Sequence, residues 1–316
     1  MKHIFIVNPH AGAQSCEDVV RQSLKPYDGR VDYEIYVKQY RGDSREVVLK
    51  YRQRYPDEEL RFYACGGDGT LREVALAVYG VQGVTFTSFA HGSGNDYVKY
   101  YGGPEEFRDV DRLFHGEVKE IDLMQVDNDS YALNATHFGF DFRVARTMDK
   151  LRRMPLLGKR FCYPTAVAWN FLTGMRNRCT VWADGEQLND GRLLLCTAAN
   201  GTHVGGSYCC APRSRNDDGL IELCLVKPAS RFKFLRLMND YQRGTHLDNP
   251  RFARYIEYRR VHSLVIDGPQ GFGVSLDGEL YYASHIEVKN MARVLRFVVP
   301  AGAKAHWEMK KMKNEK

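Results

Sequence analysis

The chain is predicted to join two folds, an α/β domain and then an antiparallel β domain, and three observations carry that prediction. Strand and helix patterns alternate through the first third of the 316 residues. From about residue 122 onward, paired short strands around turn residues replace the alternation. Three glycine-containing polar turns follow strands in the first part alone.

The elements of the first part follow from periodicity. Residues 4–7, 32–37, 60–64 and 84–89 are strand-like runs, and 17–24, 44–54 and 71–78 read as helices. In the last of these, Leu71, Val74, Ala75 and Val78 share one face. Such alternation implies parallel strands with crossover helices, and ligands then bind beyond the carboxyl ends of the strands. Three loops converge there: Asn8-Pro9-His10-Ala11-Gly12, then Cys65-Gly66-Gly67-Asp68-Gly69-Thr70, then Ala90-His91-Gly92-Ser93-Gly94-Asn95-Asp96. One glycine turn after a strand is ordinary punctuation. Three on one rim point to a ligand.

The second part reads as hairpins. Residues 123–126 and 131–135 flank Asp127-Asn128-Asp129-Ser130, and 180–183 and 192–198 flank a turn that begins Asp184-Gly185. Further strands are expected at 220–226, 261–266, 273–276 and 285–288, with helical patterns near 142–173 and 231–242. Pro155 and Pro164 are expected to break the first of these helices. The change of period alone sets the domains at 1–122 and 123–297, with residues 298–316 expected to return to the first.

Composition narrows the setting. With 44% apolar residues the chain can bury a large core. The apolar run at the start is too short for a signal peptide and no stretch is long enough to span a bilayer, so a soluble cytosolic chain is expected. Eight cysteines without Cys-x-x-Cys spacing indicate reduced thiols, not a zinc site or a disulfide framework. The net charge of +6 gathers at Arg152, Arg153, Lys159 and Arg160, and at Lys310, Lys311, Lys313 and Lys316. Such clusters suit anionic lipid or nucleic acid, and solvated surface charge explains them too.

The turn around Asp68 is a place for phosphate. A strand-to-helix turn aims unpaired N–H groups and the positive helix end at an anion, and glycines let it approach. A bare carboxylate repels phosphate, so Asp68 requires a Mg²⁺ ion or a proton-transfer role nearby. A plain helix cap is the competing explanation.

These residues resemble the diacylglycerol kinase catalytic-domain superfamily, in particular its soluble bacterial lipid kinases. Four segments carry the likeness: Asn8-Pro9-His10-Ala11-Gly12, Gly66-Gly67-Asp68-Gly69-Thr70, Gly92-Ser93-Gly94-Asn95-Asp96 and Asp277-Gly278-Glu279. Leu133-Asn134, Gly139-Phe140-Asp141 and Asp217-Asp218-Gly219-Leu220 support it. The resemblance implies a Rossmann-like α/β domain with its Gly-Gly-Asp-Gly-Thr loop, a C-terminal antiparallel β-sandwich-like domain, and an active site in the cleft between them. It also implies ATP in the glycine loops, magnesium, and a lipid alcohol as acceptor, with diacylglycerol the family default.

Residue roles come with the resemblance. Asp68 would lie among the phosphates through magnesium or water, Asp96 would complete a carboxylate network, and Glu279 would be the general base. Ser93 stands where the family often has Thr and keeps the hydroxyl. Lys38, upstream of Gly42-Asp43, stands in place of a nucleotide-contacting Thr and offers a charge instead. A second, structural magnesium site would use the Asp218 side chain with carbonyls of Arg215 and Leu220. Taken locally, Asp277-Gly278 is also an ordinary hairpin turn. Contact with the inner membrane surface is expected through the basic residues of 148–173, a homodimer through an exposed edge strand, and no nucleic acid. The motifs do not name the acceptor, since a sphingoid base, a ceramide-like lipid, a monoacylglycerol or an undecaprenyl-type alcohol would need the same catalytic residues as diacylglycerol. Two other functions also stay open. An NAD kinase shares Gly-Gly-Asp-Gly but would carry an Asn-Glu loop where this chain has Gly94-Asn95-Asp96. A silent nucleotide-binding regulator would not need Asp68, Asp96 and Glu279 intact.

Overall fold

A computed structural model describes residues 1–152 and 159–314. Four parallel strands, β1 (Lys2–Val7), β2 (Tyr33–Val37), β3 (Leu60–Gly66) and β4 (Val84–Ala90), alternate with α1 (Cys16–Leu24), α2 (Ser44–Arg54) and α3 (Asp68–Val78). Every residue of β1, β3 and β4 is buried, as befits strands covered on both faces, whereas edge strand β2 is half-buried. Ser15 starts α1 by accepting from the Asp18 N–H at 3.2 Å.

A short helix α4 (Val110–Phe114) leads to β5 (Glu117–Val126), β6 (Ser130–Ala132), β7 (Ala135–Gly139), α5 (Phe140–Arg152) and α6 (Lys159–Thr173). The remaining elements are β8 (Asn177–Arg178), β9 (Thr180–Ala183), β10 (Glu186–Gln187), β11 (Arg192–Leu193), β12 (Leu195–Ala199), β13 (Ile221–Val226) and α7 (Arg231–Arg243). They continue as β14 (Ile256–Val261), β15 (Ser263–Asp267), β16 (Gly273–Leu276), β17 (Glu279–Tyr282), β18 (His285–Val299) and α8 (His306–Asn314).

One long strand joins the two domains. The order β2-β1-β3-β4 continues into β18 and on through β15, β9 and β10, with β5 also paired to β18. The β5–β18 register slips between Met291 and Leu295, where Arg293 adopts φ +55°. Asp122 secures that bulge by accepting from the Arg293 N–H (2.9 Å), the Asn290 amide (2.9 Å) and the Gly219 N–H (2.8 Å). Beyond the bulge, Leu295 and Phe297 already belong to the core of the first domain.

The second domain is a sandwich. A six-stranded antiparallel sheet, β14-β13-β12-β7-β16-β17, packs on the β5, β9, β15 and β18 end of the large sheet. Alternation along β13 shows why both of its faces are apolar: Ile221, Leu223 and Leu225 point into the sandwich, while Cys224 and Val226 point toward the helices. The helical face is covered by Phe140 and Val144 of α5 and by Phe234, Leu237 and Tyr241 of α7.

One expectation about 148–173 changes. α6 runs through Pro164 instead of stopping there, at the cost of a backbone hydrogen bond in its second turn. Pro155 and Arg153 lie outside the described residues, as does Lys316. All eight cysteines are buried and none forms a disulfide. Among the described residues no helix is long and apolar enough to cross a membrane.

Candidate active site

The glycines are needed because the loops touch. A Cβ on Gly92 would lie 2.3 Å from Gly67 Cα, so only hydrogen fits where the second and third loops cross. The His91 N–H donates to Gly66 O at 2.8 Å, and Asn8 of the first loop donates from Nδ2 to Thr70 Oγ1 at 3.1 Å. Gly69, in the first turn of α3, faces open space. The helix therefore presents its N-terminal N–H groups to a cavity, the geometry an anion requires.

Asp68 does not cap its own helix. Its Oδ1 accepts from the N–H groups of Asp96 (2.6 Å) and Tyr97 (3.2 Å), which ties the second loop to the third. Burial, reinforced by the charge of Asp96, pushes the Asp68 carboxyl up to about 6. Asp96 in turn accepts from the Gly206 N–H at 3.0 Å on both oxygens and pairs with Lys99 at 2.7 Å. Because Gly206 belongs to the second domain, Asp96 reaches across the interdomain cleft.

Asp277 forms the opposite wall. At φ +49° it turns its buried carboxylate onto three successive N–H groups, Leu133 (2.6 Å), Asn134 (3.0 Å) and Ala135 (2.8 Å). This residue binds the start of β7 to the β16–β17 turn. Glu279 lies two positions on. The role of general base calls for a partly desolvated cleft, and its side chain is 43% exposed and pairs with Arg72 Nη1 at 2.8 Å and with Arg41. Arg72 also donates to Tyr131 O at 3.1 and 2.9 Å, so its guanidinium is held in place from both sides.

Of the residues expected to hold the nucleotide, all but Gly66 and Asn95 line one polar cavity of about 1230 Å³. Gly66 instead abuts Thr70, and the Asn95 side chain closes its own turn through Gly92 N (3.0 Å) and O (2.7 Å). Lys38 lines that cavity, but Glu73 and Asp43 (3.6 Å) already balance its charge. The expected second magnesium site is filled differently. Asp218 pairs with Arg260 and accepts from the Leu220 N–H at 3.1 Å, while the Arg215 guanidinium stands 4.0 Å away. A guanidinium occupies the place a cation would take.

A magnesium ion fits at Asp68 better. Its Oδ2 has no hydrogen-bond donor among the described residues, and Asp96 is adjacent. Magnesium commonly uses one or two carboxylates plus substrate phosphates and water. Among the described residues no group of three or more His, Cys, Asp or Glu is placed to hold a metal unaided.

A second cavity, of about 730 Å³, runs under α5, α6 and α7 and is walled mainly by apolar side chains such as Val144, Met148, Val167, Phe171 and Met238. The two cavities share three lining residues, Asp68, Arg72 and Asp277. Arg72 was missed in the sequence although it stands at i+4 from Asp68, on the same face of α3. Asp277 and Asp141 were in view as motif letters without a task.

Comparison with known proteins agrees with this architecture. Residues 2–126 match the family model described as diacylglycerol kinase catalytic domain, and residues 134–299 match the YegS C-terminal NAD kinase beta sandwich-like domain. The chain is 26% identical over 303 residues to a diacylglycerol kinase of Bacillus subtilis, covering 94% of this chain and 95% of the relative. It is 28% identical over 271 residues to a probable lipid kinase YegS-like of Pseudomonas aeruginosa, covering 83% of each. The crystal structure of a diacylglycerol kinase from Bacillus anthracis superposes with a TM-score of 0.69 at 19% identity, over 96% of this chain and 98% of that one.

Proposed function

Since the chain belongs to the diacylglycerol kinase catalytic-domain family, in its two-domain form with a YegS-type C-terminal domain, we propose that it transfers the γ-phosphoryl group of ATP to the hydroxyl of a lipid alcohol. One observation supports this above the rest: a polar cavity on the glycine loops and an apolar cavity under the helices open onto the same three side chains. A phosphoryl donor in the first and a greasy acceptor in the second would meet there.

In this reading the nucleotide phosphates lie at the start of α3, among N–H groups that need no reorganisation as charge moves. Magnesium, when bound at Asp68 and Asp96, neutralises phosphate charge. Arg41 turns from Glu279 toward the γ-phosphoryl group, while Arg72, anchored on Tyr131 O, stays beside that carboxylate. The acceptor oxygen attacks phosphorus as its proton passes to Glu279, the new O–P bond forms, the β–γ bridging O–P bond breaks, and ADP leaves. Replacing Glu279 with Gln is expected to lower kcat by roughly 10²- to 10⁴-fold with little change in ATP binding.

The apolar cavity gives a separate check. Val144 is 7% exposed and lines the acceptor side only. Val144→Trp is expected to raise KM for a lipid alcohol at least 10-fold while the dissociation constant for ATP stays within about twofold. Equal loss on both would mean that the cavities are not divided between the substrates.

The helices over the apolar cavity also supply a membrane-facing surface. Trp169 and Leu172 of α6 and Phe232 and Leu235 of α7 are all more than half exposed. Arg231 clasps the two helices by donating to Phe171 O (3.0 Å) and Leu172 O (2.6 Å). Apolar tips among Arg231, Lys233 and Arg236 suit an anionic bilayer, and Leu235 also lines the cavity, so lipid would enter from that side. Phe232→Ser with Leu235→Ser is expected to cut partitioning onto phosphatidylglycerol vesicles roughly 10-fold or more in a sedimentation assay.

A further inference from the structure

Four arginines share one small cavity on the far side of α5 from the apolar cavity. Arg143 and Arg146 of α5 and Arg176 and Arg178 at β8 line it together with the loop 269–273, and its volume is about 290 Å³. No Asp or Glu is among the lining residues, and none of the four guanidinium groups makes an ion pair or a hydrogen bond among the described residues. A fifth, Arg192, stands directly across from Arg178 in the β8–β11 pair, where like charges destabilise. The Arg143 side chain is packed down onto the chain leading into β8. A Cβ on Gly174 would meet its Nε at 2.8 Å, and that Nε is buried without an acceptor.

Such a cluster carries a cost of its own. A guanidinium cannot shed its proton, so four of them around one cavity repel one another, and nothing in the lining offsets the repulsion. Burial, reinforced by the charge of Arg146, lowers Arg143 from its ordinary value. Elsewhere in the chain Arg41, Arg72, Arg112 and Arg260 each face a carboxylate. Donors without charge are present as well. The N–H groups of Gln270 and Gly271, in the turn closed by the Phe272 N–H donating to Pro269 O (3.0 Å), have no acceptor among the described residues. Guanidinium forks match phosphate oxygens two at a time, and free amides suit the oxygens that remain.

We propose that this cavity binds a phosphate group, held by Arg143, Arg146, Arg176 and Arg178, and that the bound anion steadies α5. The consequence for catalysis rests on the lipid-kinase reading; the binding does not. Phe140, Val144 and Met148, on the opposite face of the same helix from Arg143 and Arg146, line the apolar cavity. An anion that ties α5 to β8 would fix that wall and lower KM for the lipid. Arg176 also borders the surface that holds Arg231 and Phe232. The phosphate therefore has two routes in, on a lipid headgroup or free in solution, and both present the same oxygens.

The test measures binding of inorganic phosphate, and of phosphatidylcholine vesicles containing phosphatidic acid, to the full chain at matched ionic strength. The variant is Arg176→Gln with Arg178→Gln, both exposed positions whose change leaves the core intact. Phosphate held at the glycine loops would bind native and variant alike, so the difference between them reads the arginine cavity. The dissociation constant for the preferred probe should rise roughly 10- to 100-fold in the variant. Loss of free-phosphate binding supports the site with a soluble anion, and loss confined to the vesicles supports it with a headgroup. Equal affinity of native and variant for both probes overturns it. With the preferred probe bound, KM for a lipid alcohol should fall roughly fivefold or more in the native protein and stay fixed in the variant. Binding without that difference overturns the link to α5. Labelling of no lipid at all would instead remove the kinase reading and leave the binding comparison to decide the phosphate site.

Discussion

Asp68→Asn is expected to lower phosphoryl transfer by roughly 10³-fold or more and, in the same protein, to raise stability at pH 7. The two effects have one cause. The carboxylate sits among backbone donors and beside Asp96, where only a cation makes a second negative charge welcome. Without ligand, its pKa rises from 3.8 to about 6. Below the lower value both folded and unfolded chains hold the proton, and the residue costs nothing. Between the two values the unfolded chain releases its proton while the folded one retains it, so stability falls as pH rises through that window. Above about 6 the penalty is complete, on the order of 3 kcal/mol. Asparagine keeps an oxygen for the N–H groups of Asp96 and Tyr97, so thermal unfolding from pH 4 to 7 should show a flatter curve for the variant. A variant that is both inactive and less stable at pH 7 would mean that Asp68 is structural.

Asp277→Ala is expected to destabilise the protein by about 3 to 5 kcal/mol in urea unfolding. The substitution strands three buried N–H groups at once, on the segment that links the parallel sheet to β7. Asp277→Asn should recover part of the loss, because one oxygen still accepts and asparagine tolerates the positive φ. The catalytic consequence follows from position. Asp277 lines both cavities and fixes the turn that carries Glu279, so the alanine variant should lose kcat even where it remains folded. A loss below about 1 kcal/mol would show that the three N–H groups find other partners.

The first domain was legible because its signals are local. A buried parallel strand is a short apolar run, and a glycine turn after it marks the ligand rim, so the loops that line the polar cavity were identified from sequence. The long β18 was not. Its inner half obeys the pairing of one domain and its outer half that of the other, and the bulge between them is held by Asp122, far away in the chain. Periodicity cannot see a strand shared in that way. Side-chain surroundings were not legible where partners come from distant segments. The motif that carries Glu279 says nothing of Arg41 and Arg72, which pair with it. Asp218 was expected to hold a metal because nothing nearby in sequence announces Arg260.

The central claim is that phosphate is handed across Asp68 from a polar to an apolar cavity. The most direct measurement is transfer of the γ-label from ATP to lipid alcohols in mixed micelles with Mg²⁺, using native protein, Asp68→Asn and Glu279→Gln. The account predicts a labelled phospholipid with the native chain, near-complete loss with Asp68→Asn, and a lowered kcat with ATP binding retained for Glu279→Gln. Label appearing on NAD and on no lipid, or full transfer by the Asp68 variant, would contradict it.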